Sequence, residues 1–129
     1  MRPMLGLAAI CALAFMVPTR AHHSHGNYTD TTIDVEGVVK EVHLVVPHSY
    51  VYIDVKKGGA TETWVLEATS RSGLEKIGVT REYLKVGDAI KARCHPLRDG
   101  SSGCLLGYLK GPDGAVKDWD GGTGPVPTL

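Results

Sequence analysis

The chain has 129 residues and a mass of 13.8 kDa, enough for one small core, which excludes a multidomain enzyme or a large ligand-enclosing barrel. With 43% hydrophobic residues, 22% charged residues and a formal net charge of zero, the composition excludes a disordered chain and a membrane-embedded one.

Residues 1–21 have the layout of a secretory signal. Arg2 supplies the positive start, residues 5–17 are largely apolar, and Thr19 and Ala21 are small where signal peptidase cuts. The apolar run is shorter than the roughly 20 residues that cross a bilayer, and a polar, histidine-rich segment follows it. The expectation is export to the periplasm or beyond, cleavage between Ala21 and His22, and no membrane span in the mature chain. Cys11 follows Ile10, which is bulkier than lipid attachment favours. Without the leader the chain keeps twelve basic and fourteen acidic residues, and Lys56-Lys57 is its densest basic run. Proteins that neutralise phosphates cluster Lys and Arg. Nucleic acid is therefore not expected as a partner, and the module is expected to be monomeric.

Loss of Cys11 leaves two cysteines, Cys94 and Cys104, an even count in a compartment where disulfides persist. Between them lies Arg98-Asp99-Gly100-Ser101-Ser102-Gly103, a turn signal that lets a hairpin bring the two together. A bridge over so short a loop contributes about 2 to 3 kcal/mol in the chain-entropy treatment. Free thiols and a metal pair are the alternatives, and no CxxC spacing supports the second.

The mature chain reads as short β runs. In residues 31–46, Ile33 and Val35 share one parity and Val38, Val42, Leu44 and Val46 the other. The slip falls at Gly37, where a β-bulge is expected. Pro47 ends the run. In residues 50–56, Val51, Ile53 and Val55 face one way and Tyr50, Tyr52, Asp54 and Lys56 the other, the pattern of a half-buried strand. After the turn at Lys57-Gly58-Gly59, residues 61–68 alternate again and complete a hairpin, with Trp64, Leu66 and Ala68 on the inward parity.

Ser70 is a helix cap, Leu74 and Ile77 share a face, and Gly78 stops the element. Thr80 opens a second helical turn. A strand follows over residues 88–95, with Ile90, Ala92 and Cys94 inward and Lys91, Arg93 and His95 outward. The last strand covers residues 104–110. Three strands, a helical segment and two strands match a mainly β, five-stranded OB-like barrel with its helix between strands 3 and 4. A small sandwich or an open β-roll is the competitor. The division expected is a leader over 1–21, a histidine-rich segment over 22–30, the barrel over 31–110, and a loosely held Gly/Pro-rich tail over 111–129 whose Trp119 folds back.

Several stretches resemble a known family. They are Ala21-His22-His23-Ser24, Glu36-Gly37-Val38-Val39, Pro47-His48, Trp64 and Glu67, Leu74, Gly78, the run Leu84-Lys85-Val86-Gly87-Asp88, Pro96, and Arg98-Asp99-Gly100. The family is a group of small exported bacterial proteins known only as a domain of unknown function. The resemblance implies a single β-barrel domain that begins with His-His-Ser after the signal. It covers most of the mature chain before the tail, and implies a fold and a compartment rather than an activity. The chain departs from the pattern at Val46, where the family carries Asn, and in its cysteine pair.

Histidine is the unusual residue, six in all, with His22, His23 and His25 at the expected mature terminus. The α-amine and imidazole of a terminal His22 chelate one ion, and a second imidazole completes a T-shaped nitrogen set suited to Cu(II). His48 is the first choice, then His95 or His43. A chain starting at Ala21 would instead use His23 in a square-planar site with the amine and two amides. The plain alternative is a mobile, adventitiously metal-binding end, with His48 a hydrogen-bonded corner and His43 and His95 solvent-facing.

Glu67 ends strand 3 where His48 ends the first run, so the two are expected to pair or share a site. Tyr50 and Tyr52 share an outward face that could stack a planar ligand or sugar, while Trp64 is expected in the core. No nucleophile elbow, HExxH, phosphate loop or paired acid and base occurs, so the chain reads as non-enzymatic. A hydrolase using Glu67 and His48 is the remote alternative. The functional expectation is an exported binding module, with copper or another transition metal held by His22, His23 and His48. Its rival is an accessory domain that docks a protein or small ligand on Tyr50, Tyr52 and Glu67, with no metal role.

Overall fold

The computed structural model describes residues 25–129. A 3-10 turn at His25–Asn27 leads into strands β1 (Ile33–His43), β2 (Ser49–Lys57) and β3 (Ala60–Ala68). Helix α1 (Arg71–Glu75) follows, then β4 (Ala89–Pro96), β5 (Gly103–Lys110) and a short β6 (Val116–Asp118). β1 pairs with β2 and β4, β2 with β3, and β4 with β5, all antiparallel. A parallel pairing of β3 with β5 closes the ring, and β6 adds to the outside of β5. The result is a closed five-stranded barrel with one extra strand, the OB-like architecture expected from the order of elements.

β1 serves both halves of the barrel. Its first part, through Val38, pairs with β4, and from Val38 onward it pairs with β2. The alternation slips between Val39 and Glu41, three residues beyond the expected position. Val35 and Val39 are buried before the bulge and Leu44 after it, while Val38 and Val46 stand in solvent. Gly37 has a different task, because a Cβ there would lie 2.7 Å from the Asp54 carbonyl oxygen. Only a residue without a side chain lets the coiled strand pass so close.

Val51, Ile53, Leu66, Ala92, Leu106 and Leu109 fill the barrel from inward parities. Ser70 caps α1, its hydroxyl accepting from the Gly73 N–H at 3.4 Å, and the helix delivers Leu74 to the core. Gly78, at φ +82°, ends this region, and Val79 and Leu84 enter the core beyond it. Cys94 and Cys104 form a disulfide between β4 and β5, and both are fully buried. Trp64 is only partly buried at the core's margin, with its indole N–H donating to Glu62 Oε2 at 3.1 Å.

The segments on either side of the five barrel strands also pack against the barrel. In the C-terminal segment, β6 pairs with β5, and Trp119 is fully buried, its backbone N–H donating to the Gly107 carbonyl and its backbone carbonyl accepting from the Thr69 N–H. At the N-terminal end, Tyr28 bridges to Leu97 and is 8% exposed.

Candidate functional site

A row of outward side chains crosses the barrel in register: His95 on β4 beside Leu105 on β5, Glu67 on β3, Tyr50 on β2 and His43 on β1. Glu67 is at the middle of this row, with only 13% of its side chain exposed. A carboxylate so enclosed needs polar partners, and it has two. The Tyr28 hydroxyl donates to Oε2 in a short hydrogen bond, and His48 Nδ1 faces Oε1 at 3.4 Å. His48 reaches Glu67 because the Val46–Pro47 turn ends just before β2 and Tyr50 pairs directly with Glu67.

Tyr28 arrives by a different route. Residues 26–29 run as a strap beside the β4–β5 connection, held by Thr29 N–H to the Pro96 carbonyl and Arg98 N–H to the Asn27 carbonyl, both 2.9 Å. The Arg98 guanidinium adds a bond to the Gly26 carbonyl at 3.2 Å. His95 Nδ1 lies 3.0 Å from the Thr29 carbonyl, which can only accept, so that nitrogen carries the proton. Tyr28, Thr29, Asp30, His95 and Leu105 line a small cleft of about 170 Å³ beside the strap.

The electrostatics centre on Glu67. Burial pushes the Tyr28 phenol above its ordinary range, and the hydrogen bond and charge of Glu67 push it further. Tyr50 is raised for the same reasons, burial first and the Glu67 charge second. Both phenols keep their protons at neutral pH, so Tyr28 is a fixed donor.

Of the residues singled out in the sequence, Glu67, His48 and Tyr50 come together. Tyr52 lies two residues along β2, with the His43 ring edge-on at 5.5 Å. His43 is engaged elsewhere, with Nε2 2.9 Å from Glu41 in an exposed pair. His43 and His95 each lie two strands from Glu67, about 10 Å at ordinary strand spacing. His22 and His23 fall outside the described residues, and His25 opens the 3-10 turn. Among the described residues no group of three or more His, Cys, Asp or Glu side chains is arranged to hold a metal ion. Sequence reading missed Tyr28, a single aromatic in a polar, histidine-rich stretch with no periodicity to mark it.

The sequence matches the model of a family of unknown function, DUF6152, over residues 10–106. The chain belongs to this family. A search of curated proteins finds no match. Among solved structures it is similar to the mitochondrial single-stranded DNA-binding protein Rim1 of S. cerevisiae, at 10% identity and a TM-score of 0.48, covering 63% of this chain and 92% of that one. No helix among the described residues is long and apolar enough to cross a membrane.

Proposed function

We propose that this protein is an exported binding module that takes one Cu(II) ion between its mature N-terminus and His48. The observation that carries the reading is the strap: Tyr28 is bonded to Glu67, and Glu67 faces His48. Five residues separate His22 from Tyr28, a span of at most about 22 Å. That length of chain would let the terminal amine and imidazole of His22 extend toward the His48 imidazole. His23 and His25 are the auxiliary donors. An all-nitrogen set of this kind favours Cu(II) among divalent ions. The buried Cys94–Cys104 bond supports export to an oxidising compartment such as the periplasm.

Native intact-mass spectrometry of the exported protein tests the reading. The expected result is a chain beginning at His22 that carries one copper, which His48→Ala loses against a mild competitor such as glycine. A chain that fails to hold added Cu(II) against glycine overturns it. Copper retained by His48→Ala on a chain starting at Ala21 overturns the role of His48 and leaves the square-planar terminal site.

A second reading, docking of a protein or planar ligand on the outer face of β2 and β3, draws on the aromatic strip of Tyr50, Tyr52 and His43. It predicts that Tyr50→Ala with Tyr52→Ala abolishes function while His22→Ala does not.

A further inference from the structure

We propose that the fork where β1 leaves β2 binds a short extended peptide, which adds as a strand to the free edge of β1 and places an acidic side chain on Lys56. The β1–β2 ladder begins at the Val38–Asp54 pair, and two residues further along each strand Glu36 would face Lys56. That pair does not form, because the first part of β1 runs with β4, Glu36 opposite Lys91, while residues 55–57 of β2 follow β3 into the hairpin. The strands part there around a cleft of about 620 Å³, with Glu36, Val38 and Ala89 on one side and Asp54, Lys56 and Thr61 on the other. A cleft of that size lies in the range that holds a small ligand.

The backbone points to the kind of ligand. Val39 donates its N–H to the Asp88 carbonyl at 2.8 Å, toward β4. Backbone groups alternate sides along a strand, so Val35 and Gly37 also turn to β4, and Asp34, Glu36 and Val38 turn the other way. Val38 meets Asp54 across the β1–β2 ladder, but among the described residues no strand lies beside Asp34 and Glu36 on that side. By the same alternation the Lys56 N–H and carbonyl turn from β2 into the fork. An edge of alternating donors and acceptors is matched by another backbone, which is how extended peptides add to sheets.

The side chains of this face suit the same ligand. Val38 is 45% exposed, an apolar residue on the outer face between Ala89 of β4 and Asp54 of β2 that the barrel's own packing leaves uncovered. The acids around it already have partners. Arg93 holds Asp34 at 2.7 Å, Lys91 lies 3.5 Å from Glu36, and Asp54 accepts from the Thr63 hydroxyl at 2.9 Å with Lys40 at 3.9 Å. Lys56, by contrast, lines the cleft with no ion pair among the described residues. A peptide paired with β1 therefore meets an apolar floor at Val38 and an unmatched ammonium at Lys56. Alternate side chains of a strand share a face, so an acidic residue two positions from an apolar one serves both. The proposal draws on none of the residues of the copper reading.

The test titrates the full mature protein with the pentapeptide acetyl-Val-Thr-Asp-Thr-Val-amide and follows backbone amide shifts by NMR. The expected result is saturable shifts at Glu36 and Lys56 and slower hydrogen exchange at the Glu36 amide. The fully N-methylated peptide, which keeps the side chains and loses the backbone donors, should produce neither. Lys56→Ala should weaken binding about 2- to 5-fold, the size of a solvent-exposed ion pair, and the difference should vanish when the peptide carries Asn in place of Asp. Val38→Asp, a change at an exposed position, should abolish saturation. Absence of saturable shifts at millimolar peptide overturns the proposal, and so does equal binding of the N-methylated peptide. Free valine saturating the same amides while the pentapeptide does not also overturns it, and makes the cleft a site for small zwitterions.

Discussion

The two ends of the described chain are both captured by the barrel, but by opposite means. The C-terminal segment contributes Trp119, fully buried, whose indole N–H has no hydrogen-bond partner among the described residues, so its contribution is apolar bulk. The N-terminal strap contributes Tyr28, also buried, whose hydroxyl is spent on Glu67. One aromatic fills the core; the other reaches over the outer face to hold a carboxylate. The difference teaches that a chain end can be kept for packing or for a site. The polar atom decides which: unused at Trp119, aimed at a titratable group at Tyr28.

Substitutions can break this contrast. The largest effect is expected from Trp119→Ala, a loss of about 3 to 5 kcal/mol by chemical denaturation, because it empties the core. The His48–Glu67 contact in the remaining folded protein should be unchanged. A loss below 1 kcal/mol would mean that the C-terminal segment is not anchored by its tryptophan. Replacing Cys94 and Cys104 with serine removes a ten-residue closure and should lower stability by about 2 to 3 kcal/mol. Copper affinity should again be untouched, since the bond lies inside the barrel.

Tyr28→Phe reverses the pattern. It removes one hydrogen bond and should cost about 1 kcal/mol of stability, yet it should disturb His48 and weaken copper binding. An unaffected site would make Tyr28 a packing residue like Trp119. The smallest effect is an alkaline one. Burial and Glu67 raise the Tyr28 phenol above 10.0, and burial and Asp113 push Tyr83 up to about 12. Above pH 10 the unfolded chain releases these protons first, so stability present below that pH should fall as pH rises. Denaturant midpoints at pH 9 and 11 measure the fall, and Tyr28→Phe should reduce it.

The fold was largely legible because each strand carries its own alternation. Val51, Ile53 and Val55 against Tyr50, Tyr52 and Asp54 mark two faces without reference to any other part of the chain, and all but the half-buried Val55 are deeply buried on the inward side. The β1 bulge was read three residues early because Val38 is apolar yet exposed, so the pattern slipped in the sequence before it slipped in the ladder. Of the site, the pairing of His48 with Glu67 was anticipated from strand ends. Tyr28 was not, because it meets Glu67 across 39 residues with no strand period to announce it.

Local chemistry along the chain was enough for the order of strands, the Ser70 cap, the glycine stops and the cysteine pair, since each depends on neighbours a few residues away. Closure of β3 on β5, capture of Trp119 and the meeting of Tyr28, Glu67 and His48 depend on contacts between distant segments. These arise only when the barrel's curvature brings separate strands to one face, a property of the assembled sheet that no single stretch of sequence carries.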